Sequence, residues 1–397
     1  MKDLSSVRDA LKAGWFLAPL LAICLLSCEK DYSYDQSAKC SMSLEDLSGI
    51  LSHLPLAQEH LDEVYAAVTS STGNGYDEEY TFASLFSSPG EGVGAEAPTT
   101  RADGSRWEHP MRSLIESYLT EKYATRAGDY LSAQEYLDAL ATSDAQIYWP
   151  YSESWDGRTY PIITFDPQVD TYSNIGYEMS PDGTVTEVVV DEQTARERPV
   201  WVINRNEDSA YPTIETLRRD NPDWGRGGGG VVVKSGDSVD ETMTLTLKTF
   251  QANRNFDCWF AGASEFFVKC GSIEDFTATT EAELRLYSPT ITDFMIVVKR
   301  DQVGKKIPYE AVLVSDWTEQ LTSLALLITE DDGGTLTSWK CSASVKIKSK
   351  SYGFEFEIPF NSYDDIVWRG SLSRKYFEKK NNVEGHFGDV YVTFSIE

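Results

Sequence analysis

The sequence predicts an α+β fold in which N-terminal helices and a mixed α/β middle region precede a C-terminal antiparallel β-sandwich. Two patterns indicate this order of elements. Apolar residues recur at helical spacing before residue 142, whereas short apolar or alternating runs bounded by turn residues dominate from residue 145 onwards. Nine such runs follow residue 241, a density of strands that is typical of a sandwich.

Three features predict helices in the first part of the chain. Pro55 is expected to interrupt an apolar periodic segment at residues 43–68. Ser132 and Glu135 match the capping-box pattern at the start of a short helix. Another helix has one apolar face, which is made by Met111, Leu114, Ile115, Tyr118 and Leu119.

Changes in composition divide the chain into five segments. Residues 70–106 are rich in Gly, Ser, Thr, Pro and Ala, which predicts a flexible linker. The glycine run at residues 225–230 predicts a hinge. The predicted segments are a signal peptide at 1–27, a tether with N-terminal helices at 28–69, the linker at 70–106, helices with a mixed β region at 107–229 and the β-sandwich at 230–397.

The N-terminus has the three parts of a secretory signal. Basic residues precede an apolar run at residues 15–26, which is shorter than the ~20 residues that a membrane-spanning helix needs. The run ends in LLSC at residues 25–28, which resembles the lipobox of bacterial lipoproteins. The resemblance implies that the signal peptide is removed and that Cys28 carries acyl chains such as palmitate, which anchor the protein in a membrane.

Acidic residues follow this cysteine directly. The segment EKDYSYD at residues 29–35 is similar to the charged export signal of surface lipoproteins of Bacteroidota. That resemblance implies an outer-membrane protein that its lipid anchor holds at the cell surface. The formal net charge of −28 argues against nucleic acid, or an anionic membrane surface, as a further partner.

Catalytic sequence templates are absent from the chain. It contains neither HExxH nor GxSxG. The glycine run before Lys234 and Ser235 does not form a phosphate-binding loop, because three valines at residues 231–233 separate the glycines from the lysine. Since the chain has 63 Asp and Glu residues, the carboxylate pair of a glycan hydrolase stays an open alternative.

Two acidic loops in the predicted sandwich are candidate calcium ligands. Asp331 and Asp332 precede two glycines, and Asp364 and Asp365 follow Tyr363. Paired Asp-rich loops at one end of a β-sandwich can supply the roughly six to eight oxygens that Ca²⁺ requires. The alternative is ordinary turn chemistry, in which Asp and Gly residues close a hairpin.

The segment QIYWPYSESWDG is the candidate ligand-binding surface. Its four rings, Tyr148, Trp149, Tyr151 and Trp155, would stack on sugar rings if they were exposed. Neighbouring carboxylates would then accept hydrogen bonds from sugar hydroxyl groups. The alternative is that the rings lie in the core, where the helices meet the sheet.

Cys258 and Cys270 are a candidate disulfide pair in a chain that is expected outside the cytoplasm. A hairpin turn at residues 262–264 would place them opposite each other, whereas a single strand would separate them by ~40 Å and leave both thiols free. Between them, Glu265 interrupts an apolar run and needs a partner if it is buried.

These observations favour a non-enzymatic binding or adhesion protein, whose ligand is a glycan or another envelope protein. The alternatives are a carboxylate-dependent glycan hydrolase and a structural subunit of an envelope assembly. A glycan binder should expose an aromatic patch, and a hydrolase should hold two carboxylates about 5–10 Å apart in a cleft. An assembly subunit should expose an apolar patch or an open sheet edge.

Overall fold

The protein is a mixed α+β fold of helices and mostly antiparallel sheets, which confirms the predicted class. The computed structural model describes residues 43–86, 109–123, 132–169, 171–180, 182–206, 211–222, 224, 242–377 and 382–396. All of them belong to one compact unit, Met42–Glu397. The signal peptide, Cys28, the glycine run and residues 87–108 lie outside the described residues.

Seven α-helices occur in the described residues. They are α1 (Leu44–Ser52), α2 (Gln58–Gly73), α3 (Phe82–Phe86), α4 (Pro110–Tyr123), α5 (Ala133–Ala141), α6 (Glu192–Glu197) and α7 (Ile214–Asp220). Pro55 separates α1 from α2, as predicted. The capping box of α5 is confirmed, because Glu135 N donates to Ser132 Oγ at 3.2 Å and Ser132 N donates to the Glu135 carboxylate at 2.8 Å.

Sixteen strands occur in the same residues. They are β1 (Glu79–Thr81), β2 (Ala145–Tyr148), β3 (Ile162–Phe165), β4 (Ser173–Met179), β5 (Val185–Asp191), β6 (Val200–Arg205), β7 (Met243–Ala252), β8 (Ser264–Ser272), β9 (Thr290–Val298), β10 (Ile307–Trp317), β11 (Leu321–Glu330), β12 (Leu336–Ile347), β13 (Lys350–Asn361), β14 (Asp365–Ser373), β15 (Asn382–Phe387) and β16 (Val390–Ile396).

The first sheet has the strand order β1-β2-β6-β3-β4-β5 and buries both faces of its central strands. Only β3 and β6 run parallel to each other among these pairs. Side chains alternate across a strand, so Trp201 and Ile203 of β6 point to one core while Val200 and Val202 point to another. Strands that are apolar on both faces therefore need a cover on each side of the sheet.

Helices α1 to α5 cover one face of this sheet. Their apolar residues form a single core with the strand residues on that face. The predicted apolar stripe of α4 is confirmed, because Met111, Ile115 and Leu119 are fully buried and Leu114 and Tyr118 pack at the margin of the same core.

A turn from the C-terminal part of the chain covers the opposite face. Residues 257–263, between β7 and β8, are called the inserted turn below. Its Trp259 and Phe260 pack on Val190, Val200 and other residues of the first sheet. Asn204 of β6 fixes the backbone of the turn, since its Nδ2 donates to the carbonyl of Phe260 at 3.1 Å and to that of the following alanine at 2.8 Å.

The remaining strands form two antiparallel sheets. One has the order β10-β7-β16-β15, and the other has the order β13-β12-β11-β8-β9 with β14 paired to β11. One large apolar core takes side chains from both sheets, for example Phe250 and Phe394 from the first and Phe266 and Phe294 from the second. This shared core explains why the strands of the C-terminal part are so apolar.

Two predictions about local structure are wrong. Residues 70–86 are not a flexible linker, because they include the end of α2, β1 and α3. The run AELRLYS at residues 282–288 is one of the nine that predicted strands, but Glu281–Leu286 form a 3₁₀ turn. At this turn Glu283 accepts hydrogen bonds from Thr279 N at 2.8 Å and Thr280 Oγ1 at 2.8 Å, and such local bonds outweigh a short alternating pattern.

No helix of the described chain is long and apolar enough to span a membrane.

Candidate functional site

Three of the four rings of the predicted aromatic binding surface are buried. Trp149 and Tyr148 are 1% and 0% exposed, and Tyr151 is 9% exposed. Since β2 is a central strand, consecutive residues enter opposite cores: Trp149 packs edge-on against Trp201 under the helices, and Tyr148 faces the inserted turn. For these three rings the structure agrees with the alternative that placed them in the core.

A small cleft of about 150 Å³ lies beside Trp155. Trp155 is partly exposed, and its Nε1 donates to the Thr159 carbonyl at 2.8 Å. Asp156, the carboxylate next to it, accepts hydrogen bonds from the backbone of Arg158 and Thr159 at 2.8 and 2.7 Å. These hydrogen bonds lower the pKa of Asp156, and the bond from Thr159 N has the largest effect. Asp156 therefore closes a tight turn.

A cluster of charged residues lies where the first sheet meets the C-terminal part. This seam cluster comprises Asp77, Glu78, Glu153, Lys299 and Arg300. The two acids at 77 and 78 directly precede β1, and the two basic residues directly follow β9. Lys299 Nζ donates to Glu78 Oε1 at 3.1 Å and lies 3.8 Å from Glu153 Oε2. The Lys299 ammonium group therefore links the ends of two sheets through Glu78 and Glu153.

The surroundings of Glu78 favour its protonated form. Burial, followed by the hydrogen bond to Glu153 and the charge of Asp77, raises the pKa of Glu78 to about 9. The same hydrogen bond lowers the pKa of Glu153, which is therefore the acceptor. Two carboxyl groups in direct contact are closer than the about 5–10 Å that glycoside hydrolysis requires. The pair is suited to joining segments and not to acid–base catalysis on a sugar.

Asp77 and Arg300 fix the inserted turn from two sides. Ala263 N donates to Asp77 Oδ2 at 2.9 Å, and Arg300 Nη1 donates to the Gly262 carbonyl at 2.7 Å. Arg300 Nε reaches Glu192 of α6 at 3.2 Å. Because Arg300 is only 8% exposed, protein acceptors replace almost all of the water that would otherwise bind its guanidinium group. One guanidinium group thus connects β9, the inserted turn and α6, which is the helix between β5 and β6.

The two acidic loops do come together, but not as one ligand group. Asp331 and Asp364 are both buried and share a hydrogen bond between their carboxyl groups. Their other oxygens serve the loops, since Asp331 Oδ1 accepts from Gly333 N at 3.1 Å and Asp364 Oδ2 accepts from Asn361 N at 3.0 Å. Among the described residues, the predicted four aspartates, including Asp332 and Asp365, do not form a common cation site.

A different acidic group lies next to these loops. Asp257, Glu265 and Glu330 each offer a carboxylate oxygen, and the three oxygens lie within 4.8 Å of one another. We call this group the carboxylate trio. It assembles because β8 pairs with β11, which brings Glu265 beside the end of β11, while Asp257 begins the inserted turn.

The predicted disulfide is also wrong. Cys258 and Cys270 are both free thiols. Residues 264–272 form one continuous strand, so no hairpin turns the chain at residues 262–264 and the two thiols do not face each other. Burial raises the pKa of the Cys270 thiol, which keeps it protonated and unreactive.

Sequence reasoning missed Asp257 and singled out Glu265 only as an irregularity in an apolar run. Glu330 ends the apolar run LALLIT in the same way. Glu265 and Glu330, which interrupt or end apolar strands, could therefore have indicated a shared site. The strand pairing that brings them together could not be read from a single sequence.

No protein-family model and no curated protein matches the chain. Among solved structures, the chain is similar to a structure of Drosophila C2-DSL-EGF1, at 9% sequence identity and a TM-score of 0.16. The similarity covers 39% of this chain and 66% of that chain, so this chain spans less than two thirds of that structure. A TM-score of this size carries no argument about fold or function.

Proposed function

We propose that the protein is a lipid-anchored, non-enzymatic binding protein of the outer-membrane surface and that it binds another envelope protein along β5. Cys28 would carry the anchor, and the C-terminal part would be a β-sandwich that supports the first sheet. The observation that carries the proposal is the exposed apolar edge of that sheet.

Strand β5 ends the sheet, and its outer side pairs with no strand of the described chain. Val189 of β5 is 73% exposed and lies directly opposite Ile175 of β4, which is 37% exposed. Tyr172, just before β4, is 86% exposed. An unpaired edge beside exposed apolar side chains is the arrangement that accepts an added strand from a partner.

Charge indicates what kind of strand fits this edge. Glu187 of β5 is exposed, and the whole chain carries a net charge of −28. A partner strand with Lys or Arg residues beside apolar residues would therefore be attracted to the edge, and an acidic strand would be repelled. The occupant that we propose is an extended, basic segment of another envelope protein.

Burial of Tyr148, Trp149 and Tyr151 leaves Trp155 as the one ring of residues 146–157 that a glycan could contact, which favours a protein partner. The hydrolase alternative has one observation in its favour, which is the protonated Glu78 beside Glu153. Against it, neither carboxylate lines the cleft next to Trp155. If the protein were a hydrolase, Glu153→Gln would abolish glycan turnover by the purified protein, whereas the binding proposal predicts no turnover to lose.

Photo-cross-linking on intact cells tests the proposal. A photoreactive amino acid at Val189 of the full chain is expected to yield a discrete protein adduct after irradiation. The control position is Leu286, which is equally exposed at 75% but lies in the 3₁₀ turn of the C-terminal part. Adducts of equal yield at both positions, or none at Val189, would contradict binding along β5.

A further inference from the structure

The carboxylate trio gathers three acids from separate segments into one place. Asp257 begins the inserted turn, Glu265 lies at the start of β8, and Glu330 ends β11. The hydrogen bond from Asp331 N to the Glu265 carbonyl, at 2.9 Å, fixes the last two segments side by side. Their three carboxylate oxygens lie within 4.8 Å of one another. Like charges at this spacing repel strongly unless a proton or a cation lies between them.

Glu330 supplies an independent sign of a ligand. It is 1% exposed, and neither of its carboxylate oxygens has an N–H or alcohol donor among the described residues. A buried carboxylate without such a donor is costly, so native proteins normally provide one. Burial raises the pKa of Glu330 first, and the negative charge of Asp257, with which Glu330 shares a hydrogen bond, raises it further. Asp332 and Asp365 add negative charge around this pair, which a cation would neutralise.

We propose that Asp257, Glu265 and Glu330 bind a divalent cation, and that this cation is Ca²⁺. Carboxylate oxygens are the preferred ligands of Ca²⁺, at about 2.3–2.6 Å from the ion. Two oxygens bound to one such ion are therefore at most ~5 Å apart, and the three oxygens of the trio all lie within 4.8 Å of one another. Water completes the coordination on the exposed sides of Asp257 and Glu265, which are both only half-buried.

The site differs from the calcium site that the sequence suggested. It uses Glu330, which directly precedes the first acidic loop, and acids from β8 and the inserted turn. A bound cation would hold the inserted turn to β11, in addition to the bonds that Asp77 and Arg300 make to the other end of the turn. The inference is independent of the proposed partner, because the trio and β5 share no residue.

Thermal unfolding of the purified full-length protein tests this site. After removal of cations by a chelator, CaCl₂ up to about 10 mM should raise the melting temperature with an apparent Kd of about 10⁻⁴ to 10⁻³ M, the range of extracellular calcium modules. A shift of about 2–4 °C is expected at tenfold excess over Kd. MgCl₂ should have a smaller effect, because Mg²⁺ requires shorter distances and octahedral geometry.

Matched variants distinguish the trio from other acids. Glu330→Gln should abolish the calcium-dependent rise in melting temperature. If that variant does not fold, Asp257→Asn replaces it in the experiment and should also abolish the rise. Glu274→Gln, which changes another partly buried acid outside the trio, should keep the full shift. No calcium shift in the unmodified protein, or an undiminished shift in the trio variants, would overturn the proposal. An equal shift with MgCl₂ would overturn the assignment of Ca²⁺.

Discussion

Arg300→Ala is expected to lower the free energy of unfolding by about 2–4 kcal/mol, because buried carbonyl groups lose a charged hydrogen-bond donor. The guanidinium of Arg300 donates to Glu192 and to the carbonyls of Gly262 and Cys258, the last at 3.3 Å. Alanine leaves the two carbonyls without this donor and leaves a void at the junction of three segments. The measurement is urea unfolding followed by tryptophan fluorescence.

Two variants control this experiment. Arg300→Lys keeps the charge but lacks the planar fork that reaches several acceptors, so an intermediate loss is expected. Lys305→Ala removes an exposed ion pair to Asp301 four residues earlier, and a change below about 0.5 kcal/mol is expected. If Arg300→Ala unfolded at the same urea concentration as Lys305→Ala, the seam cluster would not join the sheets as described.

The stability of the protein is expected to fall as the pH rises from about 4.5 to about 9, because of Glu78. Its pKa in the folded protein is raised to about 9, from 4.5. Between these values the folded state keeps a proton that the unfolded state has lost, so raising the pH favours unfolding. For one such group the slope is up to about 1.4 kcal/mol per pH unit. Above about pH 9 this contribution levels off.

Glu78→Gln isolates this contribution. Glutamine cannot ionise, so the variant should lose the downward slope that Glu78 causes and gain stability relative to the unmodified protein at pH 8. Exposed Glu355→Gln is the control, and its pH profile should parallel that of the unmodified protein. Melting temperatures from pH 4 to pH 9 measure the three profiles. Parallel profiles for Glu78→Gln and the unmodified protein would contradict the proton on Glu78.

Helices were predictable from sequence where their signals are local. The spacing of Met111, Ile115 and Leu119 identified the buried face of α4, and the capping box of α5 needs only Ser132 and Glu135. The 3₁₀ turn at residues 281–286 was missed because its apolar alternation imitates a strand. The hydrogen bonds that decide its conformation depend on side-chain geometry.

Burial of the aromatic segment depends on residues that are distant in the sequence. Tyr148 ends β2 and Trp149 follows it directly, and the two side chains enter opposite cores. Their burial requires a cover on both faces of the sheet, and the second cover is the inserted turn, about 110 residues further along the chain. The carboxylate trio was hidden for the same reason, because Glu330 meets Asp257 and Glu265 only through the pairing of β11 with β8.

The inserted turn links the main features of the molecule. Its apolar residues Trp259 and Phe260 cover the first sheet, its backbone is bound by Asn204 and Arg300, and its first residue belongs to the carboxylate trio. The first sheet is therefore supported on both faces while its β5 edge stays open. A rigid sheet with one open edge is well suited to binding a partner strand without a large conformational change.

The affinity for the protein captured at Val189 tests the binding account most directly. Calorimetry should show that Val189→Lys weakens binding by about tenfold or more, which corresponds to about 1.4 kcal/mol, because a lysine on the edge repels a basic strand and removes an apolar contact. The matched variant Leu286→Lys should bind as tightly as the unmodified protein. Equal affinities for all three proteins would contradict recognition through β5.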